Sequence, residues 1–330
     1  ITTQAANLEV QCDGSGNTAQ LNAWLASNGG AVASDVCSNV TWSNNFASVS
    51  DTCGATGSAS VIFTATDACG NSSTTSATFT IIDDTDPTIT TQAANLEVQC
   101  DGAGNTSQLN AWLTSNGGAV ASDICSNVTW TNNFASVSDT CGATGSVSVT
   151  FTATDNCGNS SSTTATFTII DNTNPTITTQ ASNLEVQCDG NGNTAALNAW
   201  LASNGGASAT DVCSSVTWSN NFTSVSDTCG ATGSASVTFT ATDNCGNSSS
   251  TTATFTIIDN TNPTITTQAS NLEVQCDGAG NTAALNAWLA SNGGAAATDV
   301  CSSVTWSNNF TSVSDTCGAT GSASVTFTAT

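Results

Sequence analysis

The tetrapeptide Ile-Thr-Thr-Gln begins at Ile1, Ile89, Ile177 and Ile265, a constant step of 88 residues. A chain that repeats at this interval must solve its folding problem once and reuse the answer. Solenoid units run to roughly 20–50 residues, so this period fits a bead-like domain with its own core instead. The predicted beads are residues 1–86, 87–174, 175–262 and, incomplete, 263–330. Reuse is close to verbatim: residues 151–178, FTATDNCGNSSSTTATFTIIDNTNPTIT, return letter for letter at 239–266. Each bead closes with a linker, IIDDTDPT at 81–88 and IIDNTNPT at 169–176 and 257–264. Proline there stops strand pairing and stiffens the connection. Both ends of the chain fall inside the pattern, so the expectation is a window of a longer secreted protein.

Within a bead, apolar residues alternate with period two. Ala235, Val237, Phe239 and Ala241 face one way and Ser236, Thr238, Thr240 and Thr242 the other. Ala253, Phe255 and Ile257 alternate in the same manner with Thr252, Thr254 and Thr256. The polar run DNCGNSSS between these segments supplies turn residues, which predicts a β-hairpin. NLEVQC (7–12) places Leu8, Val10 and Cys12 on one face, and NVTW (39–42) does the same with Val40 and Trp42. One stretch breaks the pattern: NTAQLNAWLASNGG (17–30) spaces Leu21, Trp24 and Leu25 at helical intervals, with Asn17 as N-cap and Gly29 and Gly30 as the stop. The expected fold is all-β, a string of β-sandwich domains, each with one short helix inserted after the first strand.

The chain has 24 acidic residues and no Lys, Arg or His, so no side-chain salt bridge can form. A nucleic-acid partner is excluded, because binding a polyanion requires cations that displace its counterions. An anionic membrane surface repels the chain for the same reason. Only 7% of residues are charged and 38% are apolar in clear alternation, which argues against disorder. Fifteen cysteines point to an oxidising compartment, and no window approaches the 18 apolar residues of a membrane span. Trypsin-like proteases also find no cleavage site in such a chain.

The segment TFTATDNCGNSSSTTATFTIIDNTNPTI resembles the end of hyalin-repeat domains, which carry a T-A-T-D-x-x-G-N hairpin and a terminal D-x-x-x-P linker. The whole unit, with LEVQCDGxGNTxxLNAWLxSNGGA and xTWSNNF, is similar to the hyalin-like repeats of very large bacterial surface proteins. That resemblance implies tandem immunoglobulin-like sandwiches, an extracellular location and an adhesion or spacer role, with no catalytic residues to carry over. The helical insert and the four-cysteine set depart from the hyalin pattern.

Four cysteines per unit allow three pairings, and spacing alone does not choose among them. In an immunoglobulin-like sandwich the connections alternate between two poles, which places Cys12 and Cys53 at one pole and Cys37 and Cys69 at the other. The expected bridges are Cys12–Cys53, Cys37–Cys69, Cys100–Cys141, Cys125–Cys157, Cys188–Cys229, Cys213–Cys245 and Cys276–Cys317. Cys301 is then left seeking a partner near position 333, beyond the window. Each bridge contributes about 3–4 kcal/mol on the loop-entropy model, to a bead that buries only roughly 60–65% of its unfolded surface. Zinc is the competing use of four cysteines, but no CxxC spacing is present.

Asp13, Asp51, Asp83, Asp84 and Asp86 gather at the lower end of the first bead, and Asp123 and Asp155 at the upper end of the second. With no cation to neutralise them, they are candidate calcium ligands at the junction. The plainer reading is that Asp and Asn are good turn and cap residues. Trp24 and Trp42 offer a sugar-stacking platform, against which their spacing argues for the core. Thr238, Thr240 and Thr242 form an outward Thr row, but a twisted sandwich provides no flat ice-binding array. Glycosylation sequons at Asn39, Asn71, Asn105, Asn127, Asn159, Asn221, Asn247 and Asn309 drift between units and mark exposed loops.

An enzyme needs a base, a nucleophile or an electrophile; His and Lys are absent and Glu9, the one Glu of its unit, points outward. Two classes remain. One is a structural protein: a cell-surface or secreted stalk or filament of disulfide-locked beads, its partners being neighbouring repeats and identical chains in a fibre. The other is an adhesin whose modules bind glycans or other surfaces. Near-verbatim repetition favours the first, because a spacer needs identical joints.

Overall fold

The computed structural model describes residues 1–226, 228–314, 318 and 320–330 of the chain. The chain divides into two compact units, Ile1–Asp171 and Asn172–Thr330, the first holding the first two repeats up to the second linker and the second holding the third repeat and the incomplete fourth. In the first unit the first repeat forms β1 (Leu8–Gln11), α1 (Thr18–Ala26), β2 (Thr41–Asn44), β3 (Gly57–Thr66) and β4 (Ser72–Ile82). The second repeat adds β5 (Thr88–Thr91), β6 (Leu96–Gln99), α2 (Thr106–Thr114), β7 (Val120–Ser122), β8 (Thr129–Asn132), β9 (Gly145–Thr154) and β10 (Ser160–Ile170).

The hairpin β3–β4 is the centre of the first repeat. Its alternation places Val61, Phe63 and Phe79 at 0% exposure, with Ala59 and Ala77 beside them, while the intervening Ser and Thr side chains face outward. The register, with Ala59 opposite Phe79 and Val61 opposite Ala77, lets each small residue make room for a large one. Asp67 fixes the turn: its Oδ1 accepts the N–H groups of Cys69 (2.9 Å) and Asn71 (2.8 Å). β2 pairs antiparallel with β3, and β1 pairs parallel with β4, giving the order β1-β4-β3-β2. A parallel neighbour requires a long crossover, and the helix-bearing segment between β1 and β2 is part of it. The second repeat reproduces this sheet as β6-β10-β9-β8 and adds the two-stranded sheet β5–β7. In the first repeat that small sheet shrinks to a single bridge between Thr3 and Val32.

The helix covers the buried face of the larger sheet. Trp24 meets Phe63 edge-on at 5.2 Å and Phe79 at 5.7 Å, and its Nε1 donates to the Ala6 carbonyl (3.0 Å). Thus Leu21 and Trp24 sit in the core as their spacing predicts, only 7% and 6% exposed. A short 3-10 turn at Asn28–Gly30 ends the helix, with Gly29 at φ 65°. There a Cβ would come within 3.1 Å of both Ala5 and Phe63, so the stop is also a close approach. The cap differs from expectation. Asn17 stands at the N-cap position in a left-handed conformation (φ 50°), and its side chain makes no cap bond. Its Nδ2 donates instead to the Gln11 carbonyl (2.8 Å), and its Oδ1 accepts from Asp13 N–H (3.2 Å). Fully buried, it ties the loop back to the end of β1.

The second unit repeats the architecture. Its four-stranded sheet is built from residues 184–187, 248–258, 233–243 and 216–220, in that order. In the last repeat the described strands at Trp306–Asn308 and Phe327–Ala329 pair with each other. These domains are tandem β-sandwiches, each with one helix, in a chain that is mostly β.

Candidate functional site at the repeat junction

The cysteines join repeats rather than closing them. Within the first unit Cys12 is bonded to Cys125 and Cys53 to Cys157, with Cα–Cα distances of 6.1 and 5.3 Å. Within the second unit Cys188 is bonded to Cys301, with Cα atoms 6.0 Å apart. These bonds replace the expected Cys12–Cys53, Cys125–Cys157 and Cys188–Cys229, and they give Cys301 a partner inside the chain. The expected Cys37–Cys69 bridge is also absent, both residues being free and exposed, as is Cys229. Cys100, Cys141, Cys213 and Cys245 are disulfide-bonded. The expected Cys276–Cys317 bridge lies outside the described residues because it includes Cys317.

The physical reason for the correction is that two ends meet. Pole assignment put Cys12 and Cys53 at the lower end of one repeat and Cys125 and Cys157 at the upper end of the next. Those ends face each other, and each thiol found its partner across the joint rather than beside it. The sequence separations, 113 and 104 residues, both exceed the 88-residue period. In this unit the first repeat's first and third cysteines therefore reach forward to the second repeat's second and fourth.

Glycine makes the approach possible. Gly54, beside Cys53, has φ 59°, and a Cβ there would lie 2.5 Å from the Cys125 carbonyl oxygen. Gly14, two residues beyond Cys12, has φ 70°, and its Cβ would lie 2.6 Å from the Ile124 carbonyl oxygen. With no side chain in the way, the Ala55 N–H donates to the Cys125 carbonyl at 2.8 Å. The second unit repeats the contact: Ala231 N–H donates to the Cys301 carbonyl at 2.8 Å beside Gly230. Glycines beside every first and third cysteine were the one sequence signal of a close approach. Cys12 (8% exposed) and Cys125 (7%) share one apolar cluster with Leu21, Trp24 and Phe79, so the cross-link extends the core through the joint.

The linker is clamped as well. Pro87 is fully buried. The Asn159 side chain donates to the Asp83 carbonyl and the Ser160 N–H to Asp86 Oδ1, both at 3.1 Å. From the other side Gln11 Nε2 donates to Thr85 Oγ1 at 2.8 Å.

Of the seven candidate calcium ligands, the structure brings Asp83 and Asp123 together. Their carboxylates and the Cys125 sulfur lie within 4.8 Å of one another. That sulfur is in a disulfide and is no thiolate ligand. Asp83 Oδ2 is buried without a hydrogen-bond partner. Burial pushes the Asp83 carboxyl above its usual range, and the charges of Asp123, Asp155 and Asp84 push it the same way. Asp155, 5% exposed, goes the other way. Burial alone would raise it, but the Asn159 side chain and the N–H groups of Asn159, Gly158 and Cys157 outweigh that and hold it below the ordinary value. Asp13 serves its own loop by accepting the Ser15 and Asn17 N–H groups. Asp86 holds Ser160, and Asp51 and Asp84 are exposed.

One further expectation is corrected. Asn105 is not in an exposed loop; it is fully buried, with Nδ2 bonded to the Gln99 carbonyl at 2.9 Å. Its sequon is closed to glycan transfer in the folded chain. The tryptophans lie where their spacing argued: Trp24, Trp112 and Trp200 are each 6% exposed, and Trp42 packs half-buried against the first core cluster. No helix among the described residues is long and apolar enough to cross a membrane.

No family model matches the chain. No curated protein matches it either. Solved structures of tandem domains do. The I67–I69 fragment of the titin I-band has 10% identity and a TM-score of 0.27, covering 78% of this chain and 97% of that one. The protocadherin PcdhgB3 EC1-4 has 11% identity and a TM-score of 0.27, covering 79% of this chain and 72% of that one. A protocadherin gammaB7 EC3-6 cis-dimer structure has 15% identity and a TM-score of 0.25; it covers 67% of this chain, which spans 62% of that one.

Proposed function

We propose that the chain is a structural segment of an extracellular stalk or fibre, secreted or held at a cell surface, in which each bead is bolted to the next. The observation that carries this reading is the pair of disulfides, Cys12–Cys125 and Cys53–Cys157, spanning one joint beside a buried proline. Two cross-links plus a clamped linker make three covalent connections between neighbouring repeats, and three separated attachments oppose bending and twisting where a lone linker opposes neither. Recurrence of the Cys12–Cys125 bond as Cys188–Cys301 in the second unit, and the hyalin-like hairpin and linker motif, support the same reading. Persistence length of surface-adsorbed molecules, measured by atomic force microscopy, tests it. Reduction should shorten the persistence length at least two-fold; a stiffness indifferent to reduction refutes the role. Saturable binding on a glycan array by the oxidised chain moves the function to adhesion.

A second property is favoured by one observation, the buried and unpartnered Asp83 Oδ2 facing Asp123. Calcium, a hard cation that takes carboxylate and carbonyl oxygens, supplies the missing partner and relieves the repulsion. Asp83 and Asp123 would hold it. Melting temperature then rises in millimolar calcium relative to chelator, and an unchanged value removes the ion from the reading.

A further inference from the structure

The end of the first repeat that carries Cys37 and Cys69 is built like a face that is occupied elsewhere. In the second repeat the matching residues are Cys125 and Cys157, 88 positions on, and both are bonded to the repeat before. Asn159 and Ser160 there grip the incoming linker at Asp83 and Asp86. In the first repeat their counterparts, Asn71 and Ser72, line a cleft of about 130 Å³ together with Ile1, Asp35, Val40 and Asp67. Cys37 and Cys69 are exposed and free at this end, whereas Cys125 is 7% exposed. The turns that carry the thiols are already set. Asp35 Oδ2 accepts the Cys37 and Ser38 N–H groups at 2.8 and 2.9 Å, as Asp123 Oδ1 does for Cys125 and Ser126 at 2.8 and 3.0 Å. Asp67 holds the Cys69 turn as Asp155 holds that of Cys157.

We propose that this face is a preorganised acceptor for one kind of partner: a repeat of the same type attached ahead of Ile1, whose linker fills the cleft and whose first and third cysteines bond to Cys37 and Cys69. The occupant enters through the peptide because Ile1 itself lines the cleft, just as Ile89 follows Pro87 and Thr88 in the occupied joint. Polarity follows from this: the chain adds repeats with forward-reaching sulfurs always meeting backward-reaching ones. Each bond forms by exchange with a disulfide oxidant such as oxidised glutathione. Two cysteine thiols lose two electrons and two protons, and the glutathione disulfide is reduced to two thiols. The inference concerns recognition between repeats and stands independently of the mechanical role.

The test fuses a copy of residues 89–176 directly ahead of Ile1 and folds the longer chain in a glutathione buffer. Iodoacetamide labelling and a non-reducing peptide map with a broad-specificity protease give the readout. In the parent chain Cys37 and Cys69 label fully. In the fused chain both labels should fall at least ten-fold, with Cys37 linked to the added copy's first cysteine and Cys69 to its third. A fused chain with those two added cysteines changed to Ser should label fully again. Persistent labelling of Cys37 and Cys69 in the cysteine-bearing fusion, or a Cys37–Cys69 bond, overturns the proposal. The Cys12–Cys125 peptide appears in the same digest and distinguishes a missing link from a missing fold.

Discussion

Pulling the chain by its two ends separates cross-links between repeats from cross-links within them. A fully extended chain spans about 3.4 Å per residue, so 330 residues reach roughly 1,100 Å once every disulfide is reduced. With the disulfides intact, the Cys12–Cys125 and Cys188–Cys301 loops each hide 113 residue steps from the force. Each loop removes about 380 Å, and together they remove about 770 Å, leaving a contour near 350 Å. The other disulfides only shorten it further. Bonds confined to single repeats, such as Cys12 to Cys53, would hide 41 steps each. Across four repeats that removes about 560 Å and leaves more than 500 Å. The assay is single-molecule force spectroscopy with handles at Ile1 and Thr330, at forces that unfold domains without breaking S–S bonds, before and after adding dithiothreitol. The oxidised chain should stop near 350 Å or below and gain at least about 770 Å on reduction. An oxidised contour above 500 Å would refute pairing across the joint.

Three other perturbations have defined outcomes. Replacing Cys12 and Cys125 together with Ser should destabilise the first unit by up to about 5 kcal/mol in non-reducing denaturant titrations, the loop-entropy value for a loop of this size; Cys53–Cys157 shares part of the loop, so the double loss is less than twice that. Gly54→Val puts a branched side chain at φ 59° against the Cys125 carbonyl and should lower stability by about 2 kcal/mol or more, with slower formation of the Cys53–Cys157 bond on refolding. Asp155 has a folded pKa below its unfolded value, so its contribution is present above the ordinary carboxylate range and is lost as pH falls through the folded pKa. Asp83 is the opposite case: its raised carboxyl favours the folded state at low pH and costs stability at neutral pH. Chelator-treated Asp83→Asn should therefore melt higher than the parent at pH 7, and Asp155→Asn lower, both read by calorimetry.

Much of the fold was legible because it is local. The alternation around Phe63 and Phe79, the polar turn at Asp67 and the helical spacing of Leu21 and Trp24 each concern neighbours within a few residues or one hairpin. Asn17 was placed correctly, but its bond to Gln11 depends on how the loop after β1 curls back, which no capping rule contains. The buried Asn105 carries the same lesson, since its sequon reads as a surface loop while the fold draws its side chain inward. The cysteine pairing failed for a longer-range reason. Pole assignment describes one bead, and the choice between a neighbour on the same end and a partner on the facing end appears only when two beads are docked. Separations of 113 and 104 residues look implausible against an 88-residue unit until the joint itself is seen as part of the core.

Because the Cys12–Cys125 and Cys53–Cys157 spans overlap, they form a chain-link around the backbone. A single break in any peptide bond from residue 12 to residue 157 leaves the two fragments still tied by at least one sulfur pair. A nick between 12 and 53 is held by the first bond, one between 125 and 157 by the second, and one in between by both. Severing the strand there takes a second injury, so the molecule tolerates wear from a hostile surrounding in the way a rope outlasts the failure of one yarn.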